Sequence, residues 1–442
     1  MLPWIIIGIC ASIVSAIPPK VIDLSNRGMK KEEFFTKIQK QINLAEVTDL
    51  NLRGNEFDTF LDCSTYLENL KTLDLSQNHL QRFFFLCKDE YNLQQLNISH
   101  NKLEYIDENG FNNRIPKLTI LDVSWNKLSV VNETMLQHFK VLEYLSLANN
   151  PINEGIHENA FWNLVALRYL NLSNISASYF SSEMFKTLSN LSNLDLSSNP
   201  ISVVPLLPAN LEELDISDTH VCRLQGVYLP RLRELKMNNM RQLRQLILND
   251  LENFTSLETL TLDGSKNLAY LTKWRPYETI LLPRLQRLSM ANCALKTIEY
   301  NLASIIPRVP ILNLENNPWN CDCKMKWLHA SNETRIIARQ IKCRTPEQHA
   351  GKELSEVPSY YLACQEDSSS VLRPVLWASI LTLLLAIMLV SIFFLLRGPL
   401  SHWDWDIRRK NHDTVSYTNV DETSNDLVKI LALGEGGERN DE

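Results

Sequence analysis

One pattern dominates this 442-residue chain: Leu70-x-x-Leu73-x-Leu75-x-x-Asn78-x-Leu80. It returns as Leu93 to Leu103, Leu118 to Leu128, Leu142 to Ile152 and Leu191 to Ile201. A copy at Val47 precedes these, and less regular ones begin at Leu167, Leu211, Leu232, Leu257 and Leu285. The last runs from Val309 through Asn317 to Trp319, giving about twelve units of mostly 20 to 28 residues. Alternating L-x-L makes a short strand with its leucines on one face. One unit cannot bury that face, but stacked units can. The Asn turns the chain out of the strand and bonds backbone groups. The expected architecture is an α/β solenoid whose strands line up as a parallel sheet on the concave wall of an arc.

The repeat is least regular in its later half. Ile175, Thr219, Met240, Ser265 and Cys293 stand where Asn is expected. Two readings are open: drift tolerated by the core, or local irregularity that shapes a recognition site.

Both ends of a solenoid need covering. At the N-terminal end, Ile22-x-Leu24 looks like a fragment of a repeat strand. Lys30 to Ile42 follows, with Phe34, Phe35, Ile38 and Ile42 at helical spacing, so residues 17–46 read as an amphipathic cap. At the other end, residues 318–364 hold Cys321, Cys323, Cys343 and Cys364. Four cysteines allow three pairings. An oxidising secretory route favours disulfides over zinc. Cys63 and Cys87 occupy nearly matching points of adjacent repeats, which stack about 4.8 Å apart, and are expected to bond. Cys222 and Cys293 are three repeats apart and are expected to be unpaired and buried.

Two apolar runs bear on location. Met1 to Ala16 reads as a secretory signal, with Val14-Ser15-Ala16 as the small-residue cleavage site, although its n-region lacks Lys and Arg. Val375 to Leu396 is uncharged and, at about 1.5 Å per residue, spans the roughly 30 Å of a hydrocarbon core. Residues 365–374 form the stalk before it. Arg397, Arg408, Arg409 and Lys410 follow it, so the positive-inside bias puts residues 397–442 in the cytoplasm and the repeats outside. The sequons at Asn97, Asn132, Asn171, Asn174, Asn190, Asn253 and Asn332 all precede the span. Asn97 and Asn171 fall between strand leucines, so glycans there would obstruct the early concave wall. A partner is then expected on the later wall or a flank.

Taken together, the repeats and the Asn316-Asn317-Pro318-Trp319-Asn320-Cys321-Asp322-Cys323 segment resemble the extracellular part of type I leucine-rich-repeat receptors, Toll-like receptors included. The resemblance covers roughly 350 residues. It implies a leucine-rich-repeat horseshoe, a cysteine-rich C-terminal cap, and the pairs Cys321–Cys343 and Cys323–Cys364. It departs at the N-terminus, where the family's cysteine-rich cap is missing. The stretch after Arg397 is also too short for a TIR or kinase domain, which implies signalling through associated chains.

In such folds the outward strand positions make the usual contacts. Here they give Tyr144, Arg168 and Tyr169, then acidic Asp195, Glu212, Glu213 and Asp215, then basic Arg233, Lys236 and Arg287. The charge reversal either orients a charged partner or is an ordinary solvated face. The net charge of -7 argues against a nucleic-acid partner. Phosphate-loop, zinc-protease and nucleophile-elbow motifs are missing and the nine histidines lack ligand spacing, so neither an enzyme nor a cofactor is expected. In the tail, Tyr417-x-x-Val420 matches a tyrosine sorting signal and Tyr417-x-Asn419 an SH2 ligand. The functional expectation is a plasma-membrane receptor or co-receptor for a protein ligand, able to pair with itself or another receptor. The alternative is an adhesion protein with a dispensable tail.

Overall fold

The computed structural model describes residues 20–61, 67, 69–86, 90–106, 110–273, 282–364 and 369–396. The signal segment, Cys63, Cys87 and the tail residues Tyr417, Asn419 and Val420 lie outside them. The chain divides into two compact units, Met1–Cys364 and Gln365–Glu442.

The first unit is a solenoid built on a thirteen-stranded parallel sheet whose strands follow chain order. Each strand is three residues long, with an inward aliphatic residue at its centre. Twelve of them belong to the twelve repeats. The thirteenth, Val21–Asp23, opens the sheet and pairs Ile22 with Leu50. Register is constant, so the central leucines stack: Leu73 on Leu96, Leu96 on Leu121, Leu145 on Leu170, Leu170 on Leu194. Any one-residue slip would turn these leucines outward, and this is what holds the register.

The asparagines tie neighbouring repeats together. Asn78 Nδ2 donates to Leu75 O in its own repeat and to Leu52 O in the preceding one, each at 3.0 Å. Its Oδ1 accepts the Phe57 N–H at 3.1 Å. Asn101, Asn126, Asn150 and Asn199 repeat this arrangement. The residue before each ladder position has a left-handed backbone, as at Gln77, Asn149 and Asn239. Gly264 fills one such position, where a Cβ would lie 2.3 Å from Asn239 Oδ1.

The irregular repeats use weaker substitutes. Ser265 Oγ accepts the Met240 N–H at 3.0 Å and donates to Met237 O at 3.4 Å. Thr219 Oγ1 donates to Ile216 O at 2.7 Å, and the Cys293 thiol donates to Leu262 O at 3.2 Å. The sheet runs through all of them without a break.

The rest of each repeat is turns and 3₁₀ segments, with short parallel strand pairs such as Thr59–Leu61 on Arg82–Phe84. Buried phenylalanines pack there in series. Phe60 stacks on Phe83 at 5.7 Å, Phe111 meets Phe139 at 5.5 Å, and Phe161 lies 6.4 Å from Phe185.

At the N-terminal end, Lys31–Glu33, Phe34–Ile38 and Gln39–Gln41 form short helical turns, the middle one a π-turn. Phe34 is fully buried against Phe57, while Phe35, Ile38 and Ile42 pack from the side. At the C-terminal end, Cys321 bonds Cys343 and Cys323 bonds Cys364, with Cα separations of 5.6 and 4.8 Å. Trp319 is buried over the last repeat and its Nε1 donates to Leu314 O at 3.2 Å. The helix Asn332–Gln340 starts from a Ser331–Thr334 capping box.

Among the described residues, the thiols of Cys222 and Cys293 are unbonded. Cys293 is buried, and burial raises its pKa to about 11. Cys222 is exposed, against the expectation that both would be buried. Val221 and Leu224 take the inward positions on either side, and the thiol between them is turned to solvent.

In the second unit the helix Ser369–Leu396 begins within the segment assigned to the stalk. Its Leu376–Leu396 stretch is long and apolar enough to cross a membrane. Ser379, Thr382 and Ser391 donate to carbonyls of their own helix, so these hydroxyls need no outside partner.

Candidate functional site

Two rows of outward side chains cross the strands. The first reads Ile120, Tyr144, Tyr169, Asn193, Glu213, Glu234. The second, two residues later on each strand, reads Asp122, Ser146, Asn171, Asp195, Asp215, Lys236. Constant register brings together residues that are twenty or more positions apart in the chain.

Tyr144 and Tyr169 stack face to face, with ring centroids 4.6 Å apart and planes within 5° of parallel. Both are half-buried. Burial, then the charges of Tyr169 and Asp122, push the Tyr144 hydroxyl up to about 12. Burial also raises Tyr169, Asp195 adds to the rise, and the adjacent Asn171 side chain offsets part of it.

Beside the tyrosines, Tyr169, Asp195, Glu213, Asp215, Glu234 and Lys236 line one shallow cleft. Asp195 and Asp215 each accept the N–H two residues on, from Ser197 at 2.9 Å and Ser217 at 2.8 Å, which fixes one oxygen of each carboxylate at the end of its own strand. Burial raises the pKa of Asp215 and the Asp195 charge adds to it. For Lys236, burial opposes the charged form, but the Glu234 hydrogen bond leaves the pKa raised.

The other charged residues named from the sequence are spread out and mostly paired. Arg168 lies 3.9 Å from Glu143, Arg233 is 3.1 Å from Glu258, and Lys236 is 3.2 Å from Glu234. Glu212 sits just before the Glu213–Asp215 strand, outside the cleft lining. Arg287 is exposed two strands beyond Lys236. The acidic-to-basic stripe is therefore weaker in space than in sequence, because glutamates interleave with its cations.

The sequon asparagines fall into two groups. Asn132, Asn174, Asn190, Asn253 and Asn332 are exposed away from the strands. Asn190 and Asn253 belong to a second amide series in which a side chain donates to the preceding repeat, to Val165 O at 2.8 Å and Val227 O at 3.3 Å. Asn97 and Asn171 lie in the second sheet row and are half-buried. Each Oδ1 accepts the N–H of the sequon serine, Ser99 at 3.0 Å and Ser173 at 2.9 Å. Asn171 is two residues from Tyr169 on the same face, so the proposed boundary between sugared and bare wall passes through the candidate site.

The leucine and asparagine pattern does not single out a further aromatic pair. His100 and Trp125 stack at 5.1 Å in the left-handed positions of adjacent repeats. Trp125 is 52% exposed, at a backbone conformation that bulky residues rarely adopt. The signal available was an aromatic residue just before a ladder Asn. A larger cleft sits in the cap against Tyr300, Trp327, Lys324, Lys326 and His329, far in sequence from the tyrosine pair. Among the described residues, no three His, Cys, Asp or Glu side chains are grouped to hold a metal ion.

Residues 92–113 and 116–175 match leucine-rich-repeat family models. Human vasorin is 28% identical over 194 residues, which is 41% of this chain and 28% of vasorin. Mouse Toll-like receptor 9 is 26% identical over 242 residues, 50% of this chain and 23% of the receptor. The chain thus spans about a quarter of the length of these relatives. The receptor in the crystal structure of the TLR13–ssRNA13 complex shares the fold, with a TM-score of 0.54 and 20% identity over 71% of this chain and 53% of that one.

Proposed function

We propose that this chain, a leucine-rich-repeat protein whose repeats resemble those of Toll-like receptor ectodomains, is a single-pass cell-surface receptor or co-receptor that binds a protein ligand on its strand face. The stacked Tyr144–Tyr169 pair carries this reading. Large, partly desolvated tyrosines supply much of the energy at protein interfaces. Held flat against each other on a rigid sheet, they lose little freedom on binding. The carboxylates of Asp195, Glu213 and Asp215 beside them favour a ligand that presents Arg or Lys, whose cation can lie over a tyrosine ring. Such a cation would also offset the burial, and the lesser effect of the Asp195 charge, that raise Asp215. The helix through Leu376–Leu396 would anchor the chain, with Arg397 and the following basic residues on the cytoplasmic side.

The test is to display the full-length protein on cells and screen it against secreted and cell-surface proteins. For the ligand found, Tyr144→Ala or Tyr169→Ala should weaken binding about tenfold or more at equal surface level, as for an interface hot spot. Unchanged binding in both variants would overturn the proposed site.

A further inference from the structure

Asn171 stands on the strand Tyr169–Asn171, whose register sets it between Ser146 and Asp195. Strands are about 4.8 Å apart and residues on one face of a strand about 6.6 Å apart. A group attached to Asn171 Nδ2 would therefore rise from the middle of the tyrosine and carboxylate rows. Asn171-Leu172-Ser173 is an N-x-S acceptor, with its Oδ1 engaged by Ser173 N–H and its side-chain amide lying against the Tyr169 hydroxyl of the same strand. On the neighbouring strand Ser146 pairs with Asn171, and two residues before it stands Tyr144, so the sequon lies beside both tyrosines.

We propose that Asn171 carries an N-linked glycan that competes with the protein ligand for the Tyr144–Tyr169 surface, so that occupancy of this one asparagine sets the fraction of molecules able to bind. The covalent step joins Asn171 Nδ2 to C1 of the first N-acetylglucosamine. The C1–O bond to a lipid-linked pyrophosphate breaks, and the amide proton is released. The ligand half of this inference rests on the binding reading above; the shielding half does not. The other sequons named lie off the strands or, for Asn97, two strands away from Tyr144.

The experiment uses full-length protein from mammalian cells, purified in detergent. Glycopeptide mass spectrometry reads Asn171, and hydroxyl-radical footprinting reads Tyr144 and Tyr169 against Tyr179, a 74% exposed reference. Ser173→Ala removes the acceptor but keeps Asn171 and its backbone hydrogen bond. Asn171→Asp is a second variant, since Asp already fills the same row at Asp122, Asp195 and Asp215. Glycan at Asn171, with Tyr169 oxidation about threefold faster in either variant and Tyr179 unchanged, supports the proposal, because a bulky shield has been lost. Bare Asn171 in all molecules, or an oxidation rate unchanged by loss of the sugar, overturns it. Ligand binding insensitive to Tyr144→Ala would sink the binding reading and leave the footprint standing.

Discussion

Asn101 and Leu80 belong to adjacent repeats, and Asn101 Oδ1 accepts the Leu80 N–H at 2.9 Å while its Nδ2 donates to Leu75 O and Ile98 O, each at 3.0 Å. Asn101 is 8% exposed, so water cannot replace these bonds if the amide is removed.

Asn101→Ala should therefore cost about 2 to 3 kcal/mol, whereas Thr219→Val, which loses the bond to Ile216 O, should cost about 1 kcal/mol. Denaturant midpoints give the order. Hydrogen exchange at Leu80 N–H should accelerate in the first variant alone; equal acceleration in both would contradict the ladder account.

The cap disulfides close loops of 22 and 41 residues. Chain entropy alone gives about 3 to 4 kcal/mol for each. Replacing Cys323 and Cys364 with Ser should lower the midpoint accordingly and expose Trp319 to a fluorescence quencher. A midpoint that does not move would show that the cap is held by packing alone.

Thiol reactivity should separate Cys222 from Cys293. Exposed Cys222 should react with a maleimide in the folded protein. Cys293, buried and with its pKa raised to about 11, should react only after unfolding. Peptide mapping reads both sites, and early labelling of Cys293 would refute its placement.

Alkaline titration should single out Tyr144. Its folded pKa, about 12, lies above the ordinary value of 10.0. Above the unfolded pKa the unfolded chain binds fewer protons than the folded one. This contribution to stability is therefore complete below pH 10 and is lost as pH rises towards 12. Phenolate absorbance should show late-ionising tyrosines, and Tyr144→Phe should remove part of that late component while the raised Tyr169 keeps the rest. An unchanged titration curve in that variant would be the contrary result.

Much of the architecture could be read from the spacing of leucines and asparagines, because each repeat solves the same local problem: an inward leucine, an outward neighbour, and a turn closed by an amide. That logic located the strands from Asp49–Asn51 to Ile311–Asn313 and picked out Ile22-x-Leu24 as strand-like. It also named Tyr144, Tyr169, Asp195, Glu213 and Asp215, since outward positions follow directly from alternation. It did not foresee the phenylalanine series or the second amide series, which lie in the less periodic parts of each repeat, nor the His100–Trp125 stack, whose positions before the ladder asparagines the pattern leaves open to any residue type.

What the one-dimensional pattern could not supply was adjacency. Whether Tyr169 meets Tyr144 and whether Glu258 neutralises Arg233 both depend on register between strands more than twenty residues apart. That register is decided by how the whole column of leucines packs. Likewise Cys222 turns outward because Val221 and Leu224 take the core positions beside it. Periodicity determined which face each side chain takes, and tertiary packing determined its neighbours, because a repeat's own residues carry no information about the side chains of the next.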